Sequence, residues 1–370
     1  MNTPSLSPEA DCTYESAVQI GALVPLTRPG WVEAGQHLLS GLELAVREVN
    51  DTGGIAGRPL ELVVRDTAAD PQRAAAAVDE LDRLGVVAVA GEYHSVVARA
   101  AAAKADALGL PFLCSSAVLD TLTEQPSRWV ARLAPAQSHG WRFYADFLLR
   151  TGHSRVAVAV EPSVYWASGV RILRDYLVPN DGSVVELDMR ALALMAMCDE
   201  LVDNRATALL LLVCYPEPAV SIVKAIRHDQ RLAEIMIGAP AGQPEFAEWK
   251  TLLGEDSAAI PFLRYLPEPL SPLGERVETA LHEWLGEAPS FVAFEGYDTV
   301  AVLAHVLRSY GVDRALIAES WPSVAVEGTR GHIQFSRTLG ISVWQWAWTP
   351  IQVVDRDPTD LDRFRILRAS

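Results

Sequence analysis

Val18-Gln-Ile-Gly-Ala-Leu-Val-Pro25 is followed, after a turn, by apolar residues at Leu38, Leu42, Ala45, Val46 and Val49. The first stretch is a short apolar run of the kind a strand buried on both faces requires. The second falls at i, i+4, i+7, i+8 and i+11, which lays one apolar stripe along a helix. Asn50-Asp51-Thr52-Gly53-Gly54 then provides a glycine stop. The pattern repeats outward. Leu60 to Val64 is a second strand, and Asp70-Pro71 gives the next helix an N-cap and a first-turn proline. Val86 to Ala90 is a third strand, Ser95 caps a helix running to Gly109, and Leu110 to Leu113 is a fourth strand. Such β-α-β alternation argues for an α/β fold with a parallel sheet covered by helices on both faces.

The alternation restarts downstream. Strands at Arg155 to Val160, Val184 to Leu187, Ala208 to Val213 and Ile235 to Ile237 alternate with helices at Ser168 to Tyr176, Leu192 to Arg205 and Ala219 to Arg227. After Pro261 come an amphipathic helix (Val277, Leu281, Leu285) and a longer one from Val292 to Tyr310. Ile333-Gln334-Phe335 and Ile341 to Trp348 have the pattern of antiparallel strands. Trp344, Trp346 and Trp348 then share one alternating face, as a cover on a sheet.

Composition narrows the function classes. A chain of 370 residues, half of them hydrophobic, has room for two or three domains. Its longest apolar runs, Ala191 to Cys198 and Ala208 to Tyr215, fall far short of the roughly 20 residues a bilayer crossing needs. A net charge of −16 with singly spread arginines argues against direct nucleic-acid binding. The four cysteines form no CxxC pair, so no zinc site is expected. Cys114 and Cys214 suit buried strand ends. Met1 to Ala17 is a polar, acidic extension without an apolar core, and the expectation is a cytoplasmic protein, or an exported one if a signal was removed.

Enzyme signatures are missing: no GxGxxG after the first strand, no GxxxxGK[ST], no GxSxG and no HExxH. Parallel sheets bind ligands at the carboxyl ends of their strands, beside helix N-termini. That rule selects Tyr93 and Ser95 after the third strand, and Ser115, Ser116 and Ala117 after the fourth. In the second unit it selects Tyr165, Trp166, Tyr215, Glu217 and Ala241. Two successive hydroxyls, Ser115 and Ser116, are expected to serve one ligand oxygen. No metal ligand set or cofactor motif is found.

The chain resembles the type I periplasmic-binding-protein family, in the branch of branched-chain amino-acid and amide receptors. The resemblance rests on Ile20-Gly-Ala-Leu-Val-Pro-Leu-Thr27, Gly41-Leu-Glu-Leu-Ala-Val-Arg-Glu-Val-Asn50, Gly53-Gly-Ile-Ala-Gly-Arg-Pro59, Phe294-Glu-Gly-Tyr-Asp298 and Gly328-Thr-Arg-Gly-His-Ile-Gln-Phe335. It implies two doubly wound parallel-sheet lobes joined by three crossovers, with a ligand cleft between them. One lobe is then 18–135 plus 265–336 and the other 136–264 plus 337–360. Hinges are expected near 134–136, 262–266 and 335–340.

Tyr93 and Ser95 match positions where amide sensors of the family place a Tyr and a Ser against the ligand head group, and Tyr165 matches an aromatic of the second lobe. Tyr215-Pro216-Glu217 resembles a loop of the amino-acid receptors, but Pro240-Ala241-Gly242 replaces their Pro-Glu-Gly, whose glutamate neutralises an ammonium. The expected function is therefore a non-enzymatic ligand sensor closing on a small amide, urea-like compound or carboxylate, with a regulator protein as partner. The alternative is the solute receptor of an ABC uptake system, with a permease as partner. The resemblance also allows a homodimer.

Overall fold

A computed structural model describes residues 16–370, so most of the N-terminal extension, with Cys12, lies outside the described residues. The first lobe opens with β1 (Val18–Val24), α1 (Val32–Asp51), β2 (Leu60–Asp66), α2 (Pro71–Arg83), β3 (Ala88–Gly91), α3 (Ser95–Leu108), β4 (Phe112–Cys114) and β5 (Val130–Arg132). The second follows as α4 (Gln137–Arg150), β6 (Arg155–Val160), α5 (Val164–Leu177), β7 (Ser183–Asp188), α6 (Leu194–Asp203), β8 (Ala208–Leu212), α7 (Ala219–His228), β9 (Met236–Gly238), α8 (Ala247–Leu253) and β10 (Phe262–Arg264). The chain returns with α9 (Pro272–Leu285), α10 (Phe291–Tyr310), α11 (Arg314–Glu319), β11 (Ala325–Gly328), β12 (Gly331–Ser336) and β13 (Trp344–Trp346). It ends in a hairpin of β14 (Gln352–Asp357) and β15 (Asp360–Ala369).

The first sheet has the order β11-β12-β13-β5-β4-β3-β1-β2, parallel from β2 to β13 and antiparallel at the β12 and β11 edge. The second, β7-β6-β8-β9, is parallel throughout. Alternate residues of β8 supply two different cores: Leu210 and Leu212 pack toward one, Leu209 and Leu211 toward the other. That two-sided burial is why the run reads as continuously apolar. The expected helix caps are partly met. Asp70 accepts the backbone N–H groups of Gln72 and Arg73, whereas α3 is capped by no side chain, with His94 at its N-cap and Ser95 inside its first turn.

Helices α1 and α10 cross in backbone contact. A Cβ on Gly41 would lie 1.9 Å from the Ala293 carbonyl oxygen, and one on Gly296 would lie 2.3 Å from that of Leu38. Both glycines belong to the quoted family stretches. Two later stretches also bind each other: Asp298 Oδ1 accepts the Thr329 N–H at 2.7 Å, and Arg330 Nε donates to Asp298 Oδ2 at 2.8 Å.

The C-terminal region departs from expectation. Ile341 to Trp348 is not one strand, because pairing stops at Trp346, ahead of Thr349-Pro350. Trp346 is buried and donates its indole N–H to His332 O at 2.9 Å, whereas Trp348 is 82% exposed. No three-indole face exists. Because β13 pairs with β5 and β12, residues 344–346 belong to the first sheet, and the third crossover lies near 347–351 rather than 335–340. The hairpin beyond it runs past residue 360. Strand β14 pairs antiparallel with β10, completing a small third sheet, β10-β14-β15, at the lobe boundary. Of the cysteines expected to be buried, Cys114 is and Cys214 is exposed. No described helix is long and apolar enough to cross a membrane.

Candidate functional site

Both main sheets have a place where the chain winding reverses. In the first it lies between β1 and β3, in the second between β6 and β8. Loops at such a point diverge and leave a crevice at the carboxyl ends of the strands. The two crevices face one cavity of about 960 Å³. Arg28, Pro29, Trp31 and Tyr93 to Val97 line it from the first lobe, Glu161 to Ser163, Tyr165, Trp166 and Val213 to Glu217 from the second.

Of the residues selected from sequence, Tyr93, Ser95, Ser116, Tyr165, Trp166, Tyr215, Glu217 and Ala241 line this cavity. Ser115 and Ala117 do not. Both are fully buried, and the Ser115 hydroxyl donates to Thr299 Oγ1 on α10 at 2.9 Å, since the Thr299 proton goes to the Glu295 carbonyl. The chain bends at Ser115 and Ser116 just past β4, and of the three only Ser116 reaches the cleft. The expectation that Ser115 and Ser116 act together therefore fails.

Sequence reasoning missed Trp31, Gln243, Tyr265 and Phe291, all of which line the cavity. Trp31 follows β1, so the strand-end rule applied to that first loop finds it. Gln243 sits two residues beyond Ala241. Tyr265 and Phe291 come from a crossover and the start of α10, where no local pattern marks them.

The walls are aromatic. Trp31 stacks on Tyr215 across the cleft with centroids 4.8 Å apart, and meets Tyr93 edge-on at 5.7 Å. Tyr165 and Trp166 lie 4.7 Å apart, Tyr265 and Phe291 5.3 Å. Burial pushes the phenols of Tyr93, Tyr165, Tyr215 and Tyr265 upward, so each stays a neutral hydroxyl at ordinary pH.

Four buried polar atoms on this wall make no well-formed hydrogen bond among the described residues: Trp31 Nε1, Ser116 Oγ, Tyr215 OH and Gln243 Oε1, with the Ser116 hydroxyl facing Glu295 and the Tyr215 hydroxyl facing Glu248. Two belong to each lobe. Ser95 Oγ accepts the N–H groups of Val118 at 3.2 Å and Leu119 at 3.3 Å, which leaves its own proton to donate. Glu92, fully buried, accepts from Thr67 Oγ1 and the N–H groups of Tyr93 and His94, and so fixes that loop.

Each acid on the wall accepts one backbone N–H. Glu161 Oε2 accepts the Cys214 N–H at 2.6 Å, and Glu217 Oε2 accepts the Ser221 N–H at 3.3 Å. Behind Ser116, buried Glu295 is pushed up to about 7 chiefly by desolvation, with Arg330 and the Ser116 hydroxyl opposing and Asp298 adding. Its Oε1 lies 3.3 Å from Arg330, and its Oε2 makes no well-formed hydrogen bond among the described residues.

Other contacts hold the lobes together. Glu33 on α1 accepts the N–H groups of Ala247 at 2.6 Å and Glu248 at 3.2 Å, so a first-lobe carboxylate caps α8 of the second. Burial raises its pKa. Arg28 pairs with Glu248 at 2.7 Å. Glu33, His37 and Glu287 are close enough to hold a metal, but both Glu33 oxygens accept those N–H groups and His37 Nδ1 accepts the Ser290 N–H. This group is a latch.

Comparison with known proteins agrees with this architecture. A Leu/Ile/Val-binding protein homologue from Brucella suis is 30% identical over 146 residues, which cover 40% of this chain and 36% of that protein. The match thus spans about a third of that relative's length. A Streptococcus pneumoniae branched-chain amino-acid transporter substrate-binding protein, solved with isoleucine, superposes with a TM-score of 0.82 at 19% identity, covering 95% of this chain and 99% of that one. A Rhodopseudomonas palustris ABC-transporter solute-binding protein, solved with benzoate, gives 0.79 at 16% identity over 96% of both chains. A family model described as periplasmic binding protein matches residues 17–348. With its two facing lobes and shared cleft, the chain belongs to the periplasmic binding protein family.

Proposed function

We propose that this protein is a receptor whose lobes close on a small carboxylate or carboxamide with an apolar or aromatic body and no ammonium group. The observation that carries the reading is the set of four buried polar atoms, two from each lobe, that make no well-formed hydrogen bond on one aromatic wall. Buried polar groups are normally hydrogen-bonded. A ligand that met both pairs would stabilise the shut form over an open one, a population shift toward closure. Ser95 O–H and the uncapped start of α3 suit a ligand oxygen. Ala241 stands where the amino-acid receptors carry their ammonium-neutralising glutamate, and Glu161 and Glu217 each accept a backbone N–H.

The solved relatives that hold isoleucine and benzoate support uptake through an ABC permease over a regulator-bound sensor, so we place the receptor role first and an exported location with it. Thermal shift and calorimetry against aliphatic and aromatic carboxylates, their amides, and amino acids test the reading. A ligand at about 100 times its Kd adds roughly 2.7 kcal/mol of stability. Hits confined to leucine, isoleucine and valine would overturn the ligand class.

A further inference from the structure

Arg132, on β5, is fully buried, and among the described residues it forms an ion pair with no carboxylate. Its NH1 donates to the carbonyl oxygens of Val118 at 3.1 Å and Leu119 at 2.5 Å, and NH2 donates to Gln345 Oε1 at 2.6 Å. Asp120 acts on it from farther off, and that carboxylate accepts the Ser138 N–H at 2.8 Å. An isolated buried charge is costly and usually paired. Here carbonyl dipoles solvate it, so no adjacent anion cancels its field.

Those carbonyls lead to the cleft. The peptide unit that accepts from Arg132 through Val118 O presents its other end, the Leu119 N–H, to Ser95 Oγ at 3.3 Å. The Val118 N–H reaches the same oxygen at 3.2 Å. With both donors on Oγ, the Ser95 hydroxyl can only donate onward, and it lines the cavity. Hydrogen bonds in series polarise one another, so a guanidinium at the head of the chain strengthens the O–H at its end.

We propose that Arg132 is a specificity-determining positioning residue, which through the Val118–Leu119 peptide and Ser95 makes the first-lobe oxygen site prefer an anionic carboxylate to the isosteric neutral carboxamide. This rests on the ligand class proposed above and selects within it. The carboxylates nearest the cleft each have their own partners: Glu92 accepts from Thr67 and the Tyr93 and His94 N–H groups, and Glu161 accepts from the Cys214 backbone. Glu295 and Glu245, which also act on Tyr93, are paired with Arg330 and Arg264.

The test is calorimetry with two matched pairs, benzoate with benzamide and isovalerate with isovaleramide, on wild type, Arg132→Gln, Arg132→Lys and Ser95→Ala. Wild type is expected to prefer each carboxylate by roughly tenfold or more, the scale of a charge-assisted hydrogen bond over a neutral one. Arg132→Gln should bring the pair within about threefold while amide affinity holds, and Arg132→Lys should keep most of the preference. A merely structural arginine would lower both members alike. Should Arg132→Gln fail to fold by circular dichroism, Ser95→Ala carries the same prediction of a collapsed ratio. A wild type without preference, or an unchanged ratio in Arg132→Gln or Ser95→Ala, overturns the proposal and leaves the ligand class standing. Failure of wild type to bind any of the four probes overturns both.

Discussion

Trp31 and Tyr215 stack across the boundary between the lobes, their planes inclined by 25°. The indole comes from the loop after β1 and the phenol from the loop after β8, so the pair can exist only when the cleft is shut. Trp31→Ala and Tyr215→Ala should each weaken ligand binding, with a coupling of about 0.5–1.5 kcal/mol in a double-mutant cycle. Additive losses would mean that the two rings do not meet in the liganded form.

The two serines of the first lobe should separate binding from stability. Ser116 Oγ makes no well-formed hydrogen bond among the described residues and faces Glu295, so Ser116→Ala should weaken binding by roughly 1–3 kcal/mol and cost the free protein far less stability than Ser95→Ala does. Ser95→Ala should lower both, because it strands the Val118 and Leu119 N–H groups. Equal unfolding midpoints for the two variants would contradict this assignment.

Ala241 tests the missing ammonium partner. Ala241→Glu places a carboxylate on the cavity wall and should create measurable affinity for amines or α-amino acids while weakening carboxylates. No change for either class would show that this loop does not face the ligand.

Glu295 should make stability depend on pH. Its folded pKa is raised to about 7 from 4.5, so between those values the folded state holds a proton that the unfolded chain has lost. Stability from this group is therefore full below about pH 4.5, declines as pH rises from there through 7, and levels off above it. Relative to wild type, Glu295→Gln should gain on the order of 2–3 kcal/mol between pH 5 and pH 8 in urea unfolding. Parallel pH profiles for the two proteins would rule it out.

Much of the scaffold was legible because its signals are local. The β1–α1 unit, the Asp70 cap and the strand-end loops follow from residues within a few positions of one another. Ser95 was misplaced by one residue, as a cap instead of a first-turn donor, because serine favours both positions. Ser115 and Ser116 could be located but not oriented, since the direction of a side chain depends on where the strand ends. Tyr265, Phe291 and Arg132 carry no sequence mark. Their place in the site comes from crossovers and from sheet partners as distant as Gln345. The hairpin of β14 and β15 escaped because β15 lies at a sheet edge, and Arg363, Phe364, Arg365 and Ile366 give little clean alternation.

Two of the three chain passages between the lobes, those leaving β10 and entering β14, are hydrogen-bonded to each other up to Arg264 and Gln352. A pair of independent tethers would let one lobe swivel, tilt and slide against the other. A ribbon resists bending within its own plane and yields across it, so these passages act as a strap whose single axis of rotation is written into its pairing. Opening then has in effect one degree of freedom, and each swing returns Trp31 to the same face of Tyr215. Mispairing at Leu263 and Val353 would loosen that axis without changing any side chain that lines the cavity.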